Sequence, residues 1–285
     1  YVMQDNGFGG RKASPDALQH ISTIRPDWST GKVLPVHFTT GAVLPAFTPE
    51  SYIRLRDPQH RIGYPIVADM ASYPGLSVSP AGQTIAVDPI ITAGRLLTGY
   101  DIDPESVVRD RDGNFWVGDE FGPFIFQFNA QGELLSREVP MPNLPRIGSN
   151  AWIQSPNNPY LLNGTGANLP NSGGLESMAI NTSKTQLYAM YEAAINGDDS
   201  RRRVISVFDL RSQAFLPQFY GYRASVGQRI NGNGDLETEN FSVNDMVAIN
   251  DKEFLVMEKD SGAGDVRTGL FPASAGTAPS FTLQR

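Results

Sequence analysis

The sequence predicts an all-β fold: a β-propeller of radially arranged antiparallel sheets with long loop insertions. Three observations point there. Long amphipathic helical patterns are scarce, short β-type runs are closed by Gly, Asn or Asp turns, and a unit of acid, strand, turn, strand, acid recurs along the chain. Gly (28) and Pro (21) make up about one residue in six of the 285, and only 19% are charged. Those proportions suit a turn-rich globular chain rather than a helical bundle or a disordered segment.

In chain order, Tyr1-Val2-Met3 opens the sequence inside an apolar strand, with no leader-like stretch before it, so the chain reads as a piece of a longer product. A neighbouring strand is expected just upstream, or from the C-terminal end closing the ring. Residues 41–90 are rich in Pro and Gly, with weak strand signals such as Tyr52-Ile53-Arg54-Leu55. Phe115-Trp116-Val117 and Ile125-Phe126-Gln127-Phe128 read as strands. The Asp-Gly signal of Asp110-Arg111-Asp112-Gly113-Asn114 precedes them, and Asn129-Ala130-Gln131-Gly132 closes the second. Residues 140–174, dense in Asn, Pro and Gly, read as a long loop of the kind that either builds a site or merely connects. Leu187–Tyr191, Val204–Phe208 and Phe254–Met257 complete the strands. The last sheet reads as ending after Leu270-Phe271.

The repeat aligns Glu105-Ser106-Val107-Val108-Arg109-Asp110 with Glu176-Ser177-Met178-Ala179-Ile180-Asn181 and with Asp245-Met246-Val247-Ala248-Ile249-Asn250. Each is followed by a turn and a second strand that ends in acid: Asp119-Glu120, Glu192 and Glu258. Tyr1–Asn6 matches the second half of the unit, and Gly7-Phe8-Gly9 echoes Phe121-Gly122. Glu105, Glu176 and Asp245 lie 71 and 69 residues apart. Propeller blades usually run about 40–50 residues, so these would carry long insertions. A radial arrangement brings the repeat acids to one end of a shared axis. A solenoid competes, but its repeats are shorter and more regular.

Several function classes are excluded. Without Cys there is no disulfide framework, thiolate nucleophile or zinc–thiolate site. A net charge of -7 disfavours nucleic acid as a partner. No apolar run approaches the roughly 20 residues that cross a bilayer. There is no Gly-x-Ser-x-Gly elbow and no P-loop. His20, His37 and His60 lie far from the repeat and lack ligand spacing. Asn231-Gly232-Asn233-Gly234-Asp235 alternates oxygen ligands but reads as a polar turn, lacking the glycine and distal acid of a calcium loop.

The chemistry therefore rests on the recurrent acids. Glu105, Asp119, Glu176 and Asp245 are the candidate ligands of a hard divalent cation, with Ca²⁺ the expected ion because it accepts six to eight oxygens in flexible geometry. Glu120, Glu192 and Glu258 are candidate catalytic acids or bases, Glu120 serving either as base or as a further ligand. Arg109 and Lys259 are the candidate phosphate-binding cations, with Arg111 and Arg267 nearby. The same acids could instead cap strand ends and accept backbone N–H groups, since a duplicated sheet copies structural residues too.

Trp116-Val117-Gly118-Asp119-Glu120-Phe121-Gly122-Pro123-Phe124 resembles the central signature of the phytase-like family, also described as "esterase-like activity of phytase". Asp5-Asn6-Gly7-Phe8-Gly9, Ile24-Arg25-Pro26-Asp27-Trp28 and Leu97–Ser106 resemble motifs of the same family. So do Gly174-Leu175-Glu176-Ser177-Met178-Ala179, with two substitutions, Asn244-Asp245-Met246 and Met257-Glu258-Lys259-Asp260. The resemblance spans residue 1 to about 270 and implies one domain over 1–285. It implies phosphoester or ester hydrolysis of a small molecule on a propeller, in bacterial extracytoplasmic proteins. The leading expectation is a metal-assisted phosphoester hydrolase. The alternatives are a non-catalytic binding propeller with structural calcium, and a lactone or carboxylic-ester hydrolase using the same metal site.

Overall fold

The computed structural model describes residues 1–6, 10–77, 83–230, 236–259 and 280–282. These are nearly all strand, turn and loop, with one short α-helix, Pro89–Gly94, and two 3-10 turns, Pro49–Ser51 and Val67–Asp69. No helix among the described residues is long and apolar enough to cross a membrane.

Four antiparallel sheets follow one another along the chain. The first joins Val2–Met3, His20–Ser22 and Tyr52–Arg54. The second runs in sequence order through Pro104–Arg109, Phe115–Asp119, Phe124–Phe128 and Val139–Pro140. The third does the same with Leu175–Ile180, Gln186–Tyr191, Arg202–Asp209 and Ala214–Arg223. The fourth joins Ser242–Ala248, Glu253–Lys259 and Ser280–Thr282. That last strand pairs with Glu253–Leu255, so the sheet continues past the predicted stop, while Leu270-Phe271 itself lies outside the described residues. Two-stranded ribbons, such as Ile24–Asp27 with Lys32–Pro35, decorate the connections.

Strand alternation determines how the sheets stack. Phe115 and Val117 point into a core shared with Ile21, Leu55 and Leu97, whereas Trp116 between them enters a second core with Leu175, Leu187 and Phe208. Leu187, Ala189 and Tyr191 face that second core, and Tyr188 and Met190 face a third with Val243, Met246, Phe254 and Val256. Each inner sheet is thus apolar on both faces. Fully burying a side chain such as Phe126, at 0% exposure, contributes about 1.5–3 kcal/mol. Val2–Met3 touches Pro104–Arg109, which touches Leu175–Ile180, which touches Ser242–Ala248. The strands nearest the start of each sheet therefore lie side by side.

The turns follow the sequence signals. Gly113 and Gly132 take φ of +89° and +78°, as the Asp-Gly and Gln-Gly turns require. Asp110 locks its hairpin by accepting Asn114 N–H at 2.8 Å and the Trp116 indole N–H at 2.9 Å. The long segment 140–174 has little regular structure beyond the Pro142–Trp152 bridge.

Candidate functional site

Each strand that leads one of the last three sheets carries a bulge near its start. In the second sheet Pro104 pairs with Asp119 and Ser106 with Gly118, so Glu105 is the extra residue. In the third Leu175 pairs with Tyr191 and Ser177 with Met190, which singles out Glu176. In the fourth Val243 pairs with Glu258 and Asp245 with Met257, so the extra residue is Asn244. The register gives a second row as well. Glu120, Glu192 and Lys259 each stand one position beyond the partner of the residue before the bulge.

The two rows converge. Glu105, Glu120, Glu176, Glu192 and Lys259 line one cavity of about 230 Å³, joined by Asp5, Asn6, Asp103 and Ser172. Ser172, at a left-handed φ of +48°, brings the end of the long 140–174 segment to the rim. Asp5, Asp103 and Glu105 bring carboxylate oxygens within 4.8 Å of one another, a spacing that could hold a metal ion. Asp103 also shares side-chain hydrogen bonds with Glu105 and Glu120. Lys259 Nζ lies 3.7 Å from Glu192 Oε1. The Asn244 amide donates to Glu176 Oε1 at 2.9 Å, and its own Oδ1 is buried without a partner.

Burial, with neighbouring carboxylates second, favours the protonated form of the buried acids here. Burial first, then the Glu192 charge, lifts the Glu176 carboxyl to about 8. Asp103 and Glu105 are pushed far up, by burial and by neighbouring carboxylates. Burial also raises Glu120 and Glu192, with Lys259 pulling both back.

The backbone that aims these groups is tightly constrained. A Cβ on Gly174 would sit 2.4 Å from the Glu120 carbonyl oxygen, so only glycine permits that approach. The Gly174 carbonyl accepts the Glu192 N–H at 3.0 Å, and its N–H bonds the Glu120 carboxylate. The turn after Glu120 is clasped by Ser155 and Asn158, whose side chains donate to the Phe121 and Gly122 carbonyls at 2.5 and 2.7 Å.

Of the residues singled out in the sequence, Glu105, Glu120, Glu176, Glu192 and Lys259 meet in the cavity. Four do not. Asp245 is exposed on the fourth sheet and stands where Ser106 and Ser177 stand. Its hairpin closes with Ile249 N–H, where the others close with Asp110 and Asn181, so counting back from Asn250 slips the register by one. Glu258 takes the place of Asp119 and Tyr191, and its Oε1 accepts the Ser225 N–H at 2.7 Å. Asp119 is fully buried, and its two oxygens accept the Asp103 and Gly122 N–H groups, each at 2.8 Å. Arg109 is exposed at the far end of its strand, where it donates to the Tyr1 hydroxyl at 2.6 Å and packs over that ring. Asp103, absent from the sequence candidates, lies in the quoted Asp101-Ile102-Asp103-Pro104 motif but outside the repeat that guided the choice.

Serial antiparallel sheets with an acid-lined cavity at the aligned strand ends define the class: an all-β protein with a carboxylate-rich cavity. The chain belongs to the phytase-like family, described as "esterase-like activity of phytase", whose model matches residues 1–280. It is 28% identical over 142 residues, 46% of its length, to an uncharacterized secreted protein of Arthroderma benhamiae. That match spans 27% of the relative. Among solved structures, the virginiamycin B lyase of Staphylococcus aureus is 12% identical, with a TM-score of 0.28 over 85% of this chain and 81% of that one. The β-propeller domain of Myceliophteria thermophila Cps50 is 8% identical, with a TM-score of 0.27 over 57% of this chain and 37% of that one.

Proposed function

We propose that the chain is part of an extracytoplasmic β-propeller hydrolase that cleaves a small phosphoester with the help of a divalent cation, calcium being the ion its ligands suit best. The observation that carries this reading is the approach of Asp5, Asp103 and Glu105 to within 4.8 Å of one another in a cavity shared with three further glutamates and one lysine. The donor set is all oxygen, which matches a hard cation, and the buried Asn244 Oδ1 is a further oxygen without a partner. Asp5, Asp103 and Glu105 would hold the ion, with Glu176 and Asn244 as neighbouring ligands. When bound, such an ion supplies charge neutralisation and polarisation of a phosphoryl oxygen.

The chain's own groups would do the rest. Lys259, the one cation lining the cavity among the described residues, would donate to a phosphoryl oxygen. Glu120 and Glu192, lifted by burial, would serve as general acid and base. The lone lysine explains why a phosphate would need the metal: the cavity is otherwise anionic. The propeller reading is supported by the sequential strand order of the second and third sheets and by the side-by-side leading strands. The extracytoplasmic reading draws on the family resemblance and on the secreted relative.

Calorimetric titration with Ca²⁺, followed by a panel of phosphomonoesters, carboxylic esters and lactones with and without chelator, tests the proposal. Chelator-sensitive release of phosphate is the expected result. Calcium binding with no turnover on any panel member would favour the binding propeller, and turnover of lactones alone would favour the third expectation.

A further inference from the structure

A second cavity, of about 340 Å³, lies on the other side of the turn that follows Glu120. Its walls are Phe124, Pro140, Ile153 and the rings of Trp152 and Tyr160. Tyr160 stands edge-on to both Tyr64 and Phe124, with ring centroids 5.6 and 6.0 Å away, which fixes one wall. Trp152 forms the rim and is 46% exposed.

The polar atoms of the lining divide by type. The acceptors are used within the protein. Buried Glu138 accepts from Gly63 N–H at 3.1 Å, Arg137 Nε at 3.1 Å and the Tyr160 hydroxyl. Asn158 Oδ1 accepts the Tyr160 N–H at 2.9 Å, and Gln154 Oε1 accepts from Asn150 at 2.6 Å. The atoms left without a protein partner are donors: Arg137 Nη1, Gln154 Nε2 and Trp152 Nε1. An apolar slot flanked by aromatic rings and edged by free side-chain donors, one of them cationic, suits a flat apolar group that carries an acceptor oxygen.

We infer that this cavity binds a planar aromatic molecule of one or two rings bearing a carboxylate or acyl oxygen, at a site separate from the acid-lined cavity. The ring lies against Trp152 and Tyr160, and the oxygen faces Arg137 and Gln154.

Ligand-observed NMR and calorimetry with 2-naphthoate, cyclohexanecarboxylate and 2-naphthalenemethanol test this. A ligand of about thirteen non-hydrogen atoms binds with a Kd of about 1 mM at ordinary ligand efficiency. The expected result is saturable binding of 2-naphthoate, at least about fivefold tighter than cyclohexanecarboxylate. Trp152→Ala should weaken it about fivefold or more. Arg137→Gln should erase the preference for 2-naphthoate over the neutral alcohol. Both substituted side chains are substantially exposed, so an unchanged melting temperature verifies the fold, and adding Ca²⁺ should leave the Kd unaltered. No saturable binding up to about 10 mM in folded protein overturns the inference. So does a Kd indifferent to both substitutions, or one abolished by Ca²⁺, which would place the ligand in the acid-lined cavity.

Discussion

Asn244 donates its side-chain amide to Glu176 Oε1 at 2.9 Å from the bulge position that Glu105 and Glu176 occupy in the two preceding sheets. The fourth sheet thus supplies a neutral donor where the repeat elsewhere supplies a charge. One carboxylate fewer reduces repulsion among the cavity's acids, and the N–H bond stabilises the ionised form of Glu176.

Asn244→Asp should therefore destabilise the cation-free protein by about 1–3 kcal/mol, through a lost donor and an added like charge. It should also tighten Ca²⁺ binding. Thermal melts in chelator, paired with calorimetric titration, read both effects. A melting temperature unchanged in chelator would mean that Asn244 does not relieve charge at this site.

Glu176→Gln should weaken Ca²⁺ binding at least about tenfold and lower phosphoester turnover by orders of magnitude, while the fold survives, since the amide keeps size and loses charge. Asp245→Asn, on an exposed position outside the cavity, should change affinity by less than about twofold and stability by less than about 0.5 kcal/mol. Equal losses in the two variants would contradict the register drawn from the bulges.

The contrast between Glu176 and Asp245 also shows what the sequence could and could not convey. Strand identity was legible, because alternation such as Phe115-Trp116-Val117 maps directly onto two cores. The pairing of Glu105 with Glu176, and of Glu120 with Glu192, was legible as a repeat. A bulge, however, shifts side-chain direction by one residue without leaving a compositional mark. Asn250 imitates the turn residues Asp110 and Asn181, yet that hairpin closes one position earlier, so the eye lands on Asp245 and Glu258 rather than Asn244 and Lys259. Asp103 was hidden for another reason: it precedes both the repeated unit and the second sheet's leading strand, yet lines the cavity.

The buried carboxyls also set a pH dependence. Burial raises the Glu176 carboxyl from 4.5 to about 8. Between those values the folded state holds more protons than the unfolded one, so stability of the cation-free protein falls as pH rises. In chelator, the melting temperature should be higher at pH 5 than at pH 8. Saturating Ca²⁺ should shrink that difference, because the ion takes over the compensation that protons provide. A melting temperature that instead climbs from pH 5 to pH 8 in chelator would show that the acids are not mutually repelling.

Asp119 separates structural from chemical use of the acids. Its carboxylate holds the Asp103 and Gly122 N–H groups, and the Asp103 carbonyl in turn accepts the Glu120 N–H at 2.9 Å. Asp119→Ala should cost about 1–3 kcal/mol per buried donor left unpaired. Because Asp119 does not line the cavity, any fall in Ca²⁺ affinity should stay smaller than that of Glu176→Gln. An intact melting temperature with abolished binding would make Asp119 a ligand after all.

Gly174 offers the sharpest test of how the cavity is aimed. A Cβ there would meet the Glu120 carbonyl oxygen at 2.4 Å and Glu120 Cγ at 2.7 Å, backbone and stem atoms that cannot swing aside independently. The same residue accepts the N–H of Glu176 at 3.1 Å and of Glu192 at 3.0 Å. Gly174→Ala must push apart strand ends that carry three of the cavity's carboxylates, at a cost of about 1–3 kcal/mol for overpacking. Gly221→Ala is the matched control, since its Cβ would meet only the Arg202 side chain, Cδ at 3.4 Å and Cγ at 3.7 Å, ordinary contacts with a flexible group. The first variant should lose stability, Ca²⁺ affinity and turnover together, and the control should lose none of them. If Gly174→Ala melts lower yet binds Ca²⁺ as tightly as the parent, the ligands are positioned independently of this glycine, and the site depends on Asp5, Asp103 and Glu105 alone.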